Sequence, residues 1–184
     1  MDTIFPHFYE FEWLTEIPGK LPHYYYPGAS RQGGQDGLLV KILTEEGRIW
    51  LGTFSFGKVT AKGISGVYTT PDPYRFCVVS RGEGYLVHAN DPSIWEPVLV
   101  TPITDVRLIP AREMIIFANF TSLIGYGLTG IKWHTRRLAW DGLKITHVTE
   151  DLVNGEYWDI RTESMVDFTV DLATGVNHGG IEEP

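Results

Sequence analysis

From Leu38 onward, short apolar runs alternate with turn-forming residues at the interval expected of an all-β domain. "LLVKIL" meets "TEEG", and "RIWLGTFSFG" follows. "SGVYTT" leads into "PDPY", "RFCVVS" into "RGEG", and "YLVHA" into "NDPS". Further along, "EPVLVTPI" and "DVRLI" precede "PARE", after which come "MIIFANF" and "LIGYGL". The stretch "REMIIFANFTSLI" has a helical alternative, but its Ile-Ile-Phe run and glycine-rich sequel predict strands.

Laid over one another, these modules show a repeat. Val67, Val106 and Val148 open successive modules 39 and 42 residues apart, and Trp95 precedes Trp133 by 38. A period near 40 is that of four-stranded propeller blades. Residues 38–184 have room for about three such modules, fewer than the roughly four blades of a complete propeller. The reading is therefore an all-β fold of antiparallel sheets resembling part of a β-propeller, with a β-sandwich as the fallback. Residues 38–184 form a single β domain on this view.

Residues 1–37 break the pattern. "IPGKLPHYYYPGASRQGGQDG" is rich in Pro, Gly and Tyr and keeps neither period, so it predicts irregular chain packed on the body, with "SRQGGQDG" as a flexible loop. The aromatics Phe8, Tyr9, Phe11, Trp13 and the triplet Tyr24, Tyr25, Tyr26 should dock on that body or line a groove.

The stretch "GIKWHTRRLAWDG" at 130–142 carries the densest basic cluster. Its continuation "RRLAW-DG-LKITHV" has an Asp-Gly pair between alternating residues, the signature of a two-residue type I′ hairpin. That register puts Leu138, Trp140, Leu143 and Ile145 on one face, making Trp140 a core anchor. If the strand runs unbroken, Trp133, Thr135 and Arg137 point the other way, and aromatic beside arginine is hot-spot composition. These three are the first candidate partner-binding residues, with Tyr24, Tyr25 and Tyr26 second.

Other chemistry is sparse. "SMVDFTVDLATG" alternates so that Asp167 and Asp171 share a polar face, which would suit a pair of glycosidase carboxylates. His134 and His147 are flanked by Arg136 and lack a third ligand, so no metal site is predicted. Cys77 lies in an apolar β-branched run and reads as a buried small hydrophobe. The "GEGYLV" and "GYGLTG" glycines do not open helices, and neither a P-loop nor a GxSxG elbow is present. No cofactor is predicted.

Composition narrows the function. With 15 basic and 23 acidic side chains the net charge is −8, which disfavours nucleic acid and suits a basic partner. The one cysteine excludes an intrachain disulfide and is compatible with a reducing compartment. The N-terminus has acidic residues and prolines where a signal peptide needs a basic start and an apolar run, and no window reaches membrane-span length. A cytoplasmic location follows. The expected role is a non-catalytic binding protein for a protein partner or small ligand, such as an acidic inhibitor of a basic protein. The alternatives are a carbohydrate-binding or carbohydrate-hydrolysing protein, and a homo-oligomer that covers its sheet edges.

Overall fold

The computed structural model describes residues 4–31, 36–58 and 63–181. Among the described residues, sixteen strands form four sheets of four. In chain order they are β1 (Tyr9–Leu14), β2 (His23–Tyr26), β3 (Gly37–Thr44), β4 (Ile49–Ser55), β5 (Gly66–Thr69), β6 (Arg75–Ser80), β7 (Glu83–His88) and β8 (Trp95–Pro97). The second half holds β9 (Asp105–Ile109), β10 (Met114–Ala118), β11 (Leu123–Gly127), β12 (Gly130–His134), β13 (Lys144–Val148), β14 (Leu152–Asp159), β15 (Ser164–Asp171) and β16 (Asn177–Gly179). Sheets two, three and four are consecutive antiparallel meanders, as the repeat predicts. Val67, Val106 and Val148 all fall on the first strand of a sheet, and Trp95 and Trp133 on the fourth. The fold is all-β and blade-like.

Three apolar cores join the sheets in sequence: first to second, second to third, and third to fourth. This stacking explains the hydrophobic pattern. In β10, Met114, Ile116 and Ala118 pack towards the fourth sheet, while Ile115 and Phe117 pack towards the second. A strand covered on both faces must be apolar throughout, which is why "MIIFA" lacks alternation. The same holds for β6, where Phe76 and Val78 face the first sheet and Cys77 and Val79 the third. In β14 and β15 alternation returns, because Val153, Tyr157, Val166, Phe168 and Val170 on one face pack into a core.

Hydrogen bonds between sheets keep the period of the repeat. Trp50 Nε1 donates to the Ala89 carbonyl and Trp133 Nε1 to that of Leu172, each at 2.8 Å and each 39 residues away. Arg112 Nε donates to the Glu150 carbonyl at 2.9 Å, 38 residues on.

The N-terminal segment differs from the expectation of irregular chain. It supplies β1 and β2 to a first sheet ordered β1-β3-β4-β2, raising the count from about three modules to four. β1 pairs antiparallel with β3, and β2 adds to β4 as the one parallel pair among the named strands. Neither pairing is with a sequence neighbour, so no hairpin signal marks them. Residues 32–35 of the stretch expected to form a flexible loop lie outside the described residues.

Candidate functional site

Trp133 and Trp140 exchange the places that alternation gives them. Trp133 is buried, its ring lying over Gly125 and against Gly175, where a Cβ would come within 2.8 Å and 2.7 Å of it. Gly175 also has φ +72°, a backbone region in which glycine alone is unstrained. The reversal arises because β12 ends at His134 and residues 135–143 are not strand, so no unbroken alternation links the parity of Trp140 to that of Trp133. Thr135 is buried too, exchanging hydrogen bonds with the backbone of Leu123. Trp133 belongs to the inter-sheet core and Thr135 is buried as well, so the accessible surface predicted for them is absent.

The Asp141-Gly142 hairpin does not form. Residues 135–143 run between the sheets, with Leu138 and Ala139 donating to the Thr121 carbonyl and Leu143 to that of Phe120. Leu138, Leu143 and Ile145 are buried as predicted, while Trp140 turns outward and is 48% exposed. Arg137 fixes that position. Its guanidinium donates to the Ala139 and Trp140 carbonyls at 3.0 Å and 3.1 Å and lies 4.5 Å from the Trp140 ring centroid.

Opposite Trp140 stand two residues absent from the predicted set, Trp158 and Ile160, 50% and 71% exposed. Trp158 ends the face of β14 that points away from the third sheet, cross-strand from Met165. Ile160 sits at the tip of the β14–β15 turn. The buried Asp159 carboxylate shapes that tip by accepting the Arg161 N–H at 2.9 Å. Because Lys144 pairs with Glu156, the chain just before β13 meets the end of β14. The result is an apolar groove of about 440 Å³ lined by Trp140, Asp141, Gly142, Trp158 and Ile160. The alternation of Leu152, Asn154, Glu156 and Trp158 against Val153, Gly155 and Tyr157 is the sequence signal that could have revealed Trp158.

The tyrosine triplet is β2. Tyr26 is fully buried, stacked on Phe54 at 4.5 Å with its hydroxyl donating to the Pro92 carbonyl. Tyr24 meets the Trp50 ring edge-on. Tyr25 lies on the other side of the strand, stacked 4.2 Å from His23 with its hydroxyl 3.1 Å from His23 Nδ1. Burial holds the His23 imidazole below the ordinary histidine range, and its Nε2 reaches Thr53 Oγ1 at 2.8 Å. Tyr24 and Tyr25 remain half-buried.

Asp167 and Asp171 do share one face of β15. Four residues along a strand, however, place their backbones about 13 Å apart, beyond the roughly 5–9.5 Å that glycosidase carboxyls use. Asp171 instead closes the turn after β15, accepting the Thr174 amide and hydroxyl at 2.8 Å and 2.7 Å. Those bonds hold its carboxyl below the usual carboxylate range. Cys77 is buried as predicted, and desolvation pushes its thiol up. Among the described residues no cluster of three His, Cys, Asp or Glu could hold a metal ion, and no helix is long and apolar enough to cross a membrane.

A larger hollow of about 670 Å³ lies between the first two sheets, with Tyr85 and Trp95 in its wall. Both rings are already engaged with the apolar core beneath. The fourth sheet's groove differs in presenting its aromatic rings outward.

No family model and no curated protein matches the sequence. Among solved structures the chain is similar to the N-terminal domain of Nup159, with a TM-score of 0.44 and 12% identity, over all of this chain and 54% of that one. It is also similar to a chain of the assembly of S. cerevisiae Dbp5 with Nup159, Gle1, IP6 and ADP. That match has a TM-score of 0.43 and 11% identity, over 99% of this chain and 52% of the other. The chain spans about half the length of the chains it matches. Nothing about partners or activity transfers at that similarity.

Proposed function

We propose that this chain is a non-catalytic binding protein that recognises a protein partner by static docking on its fourth sheet. The observation that carries the reading is the outward pairing of Trp140 with Trp158 and Ile160, three large apolar side chains each about half or more exposed around one groove. Tryptophan dominates protein hot spots because one ring buries much area at small entropic cost, and contiguous exposed apolar surface marks interaction sites. Arg137 stays in the site as the residue that orients Trp140. Tyr24 and Tyr25 form a second, weaker candidate surface on the first sheet. The single thiol suits a reducing compartment such as the cytoplasm.

Sugar rings also stack on tryptophan, but their hydroxyls need converging polar groups. Among the groove's lining residues the one carboxylate is Asp141, and its Oδ1 already accepts the Gly142 amide at 2.7 Å. A protein side chain fits this lining better.

Photo-crosslinking capture from cell lysate compares the wild-type chain with Trp158→Ala/Ile160→Ser. A protein held by the former and lost from the latter is the expected result. An unchanged capture profile overturns the proposal, as does a glycan array bound through the same two residues.

A further inference from the structure

We infer that the groove's partner is a basic protein segment, its apolar anchor seated between Trp140 and Trp158 and its Lys or Arg side chains laid along the outer face of the fourth sheet. This rests on the protein-binding reading above and names the chemistry of the partner.

The inference comes from the order of residues on that face. β14 and β15 place Trp158 opposite Met165, then Glu156 opposite Asp167, then Asn154 opposite Thr169, and lastly Leu152 opposite Asp171. Apolar surface thus passes directly into a carboxylate pair, one row further along the strands and about 7 Å away. Two like charges directly across a strand pair repel each other, so a bound cation relieves an unfavourable contact as well as making a new one. Lys144 reaches Glu156 at 3.3 Å, but the lysine side chain is 68% exposed against 27% for the glutamate, and an ion pair with one member so open to water contributes little.

Charge on the larger scale agrees. Residues 144–179 hold seven acidic side chains against two basic ones, so this sheet carries most of the net charge of −8. That concentration favours a basic partner on the sheet face beyond the groove and works against a second copy of this acidic chain. Rows on one strand face recur every second residue. An extended partner therefore places Lys or Arg two positions from its aromatic or aliphatic anchor.

The test is a phage-displayed library of random dodecapeptides selected on the wild-type chain, with counter-selection on Trp158→Ala. Enriched peptides are synthesised, and their binding is measured by fluorescence anisotropy at low and high salt. The expected sequences combine a Trp, Phe or Leu with a Lys or Arg two residues away. Binding should weaken about tenfold in Glu156→Gln/Asp167→Asn at low salt, and that difference should shrink at high salt. Both carboxylates lie outside the apolar cores, so the double variant keeps its fold, which far-UV circular dichroism verifies. Enriched peptides that are neutral or acidic, or that bind the double variant equally well, overturn the basic partner and leave protein recognition standing. If no peptide survives counter-selection, both readings fall. A concentration-dependent dimer that Trp158→Ala converts to monomer replaces the basic segment with a second copy.

Discussion

An indole that leaves water must place one N–H, and its ring needs room that ordinary side chains occupy. Trp133 meets both demands, with the Leu172 carbonyl at 2.8 Å and two glycines at its faces. Trp140 keeps its ring half in solvent, under a guanidinium. Deleting the first ring leaves a cavity between two sheets that cannot collapse, whereas deleting the second removes surface that water already reaches. Trp133→Ala should therefore cost about 3–5 kcal/mol of stability and Trp140→Ala less than about 1 kcal/mol, read from urea unfolding of the two variants. Eight residues of sequence, both ends tryptophan, hold one structural and one recognition residue. Composition treats the two alike. The glycines at 125 and 175, eight residues before Trp133 and 42 beyond it, distinguish them.

At the scale of the element, β14 shows how alternation encodes a sheet with one covered face. Val153, Gly155 and Tyr157 turn inward and Asn154, Glu156 and Trp158 outward. Gly155 sits where the Phe168 ring crosses the strand, and an added Cβ would also come within 2.7 Å of the Lys144 carbonyl. Gly155→Val should push that ring aside and unseat β13, destabilising the chain by about 2–3 kcal/mol, measurable as a lower midpoint in thermal unfolding. The first strands of sheets two to four were legible from Val67, Val106 and Val148, because each begins a local meander. The pairing of β1 with β3 and of β2 with β4 was not. β2 is four residues between Pro22 and Pro27, and its partner lies 28 residues on, beyond the reach of local periodicity. The candidate site failed to show for a related reason. The parity that made Trp133 look exposed required an unbroken strand as far as Trp140, but β12 ends at His134, and the segment from 135 to 143 took its hydrogen bonds from residues 120 and 121 rather than from a hairpin.

Across the whole molecule, each of the three apolar cores is shared by sheets adjacent in the chain, so stability should follow nearest-neighbour coupling. Trp133→Phe keeps a ring but removes one hydrogen bond from the third sheet to the fourth, that of the indole to the Leu172 carbonyl. Amide exchange should then quicken in β14 and β15 while β3 and β4 keep their protection, and uniform quickening by mass spectrometry would contradict such coupling. The 39-residue reach of Trp50 and Trp133 can also be read in time. At roughly 5–20 residues per second of synthesis, each indole emerges from the ribosome about 2–8 seconds before the carbonyl that receives it. For those seconds the newest sheet holds one apolar face uncovered, and a chaperone would meet this protein one sheet at a time.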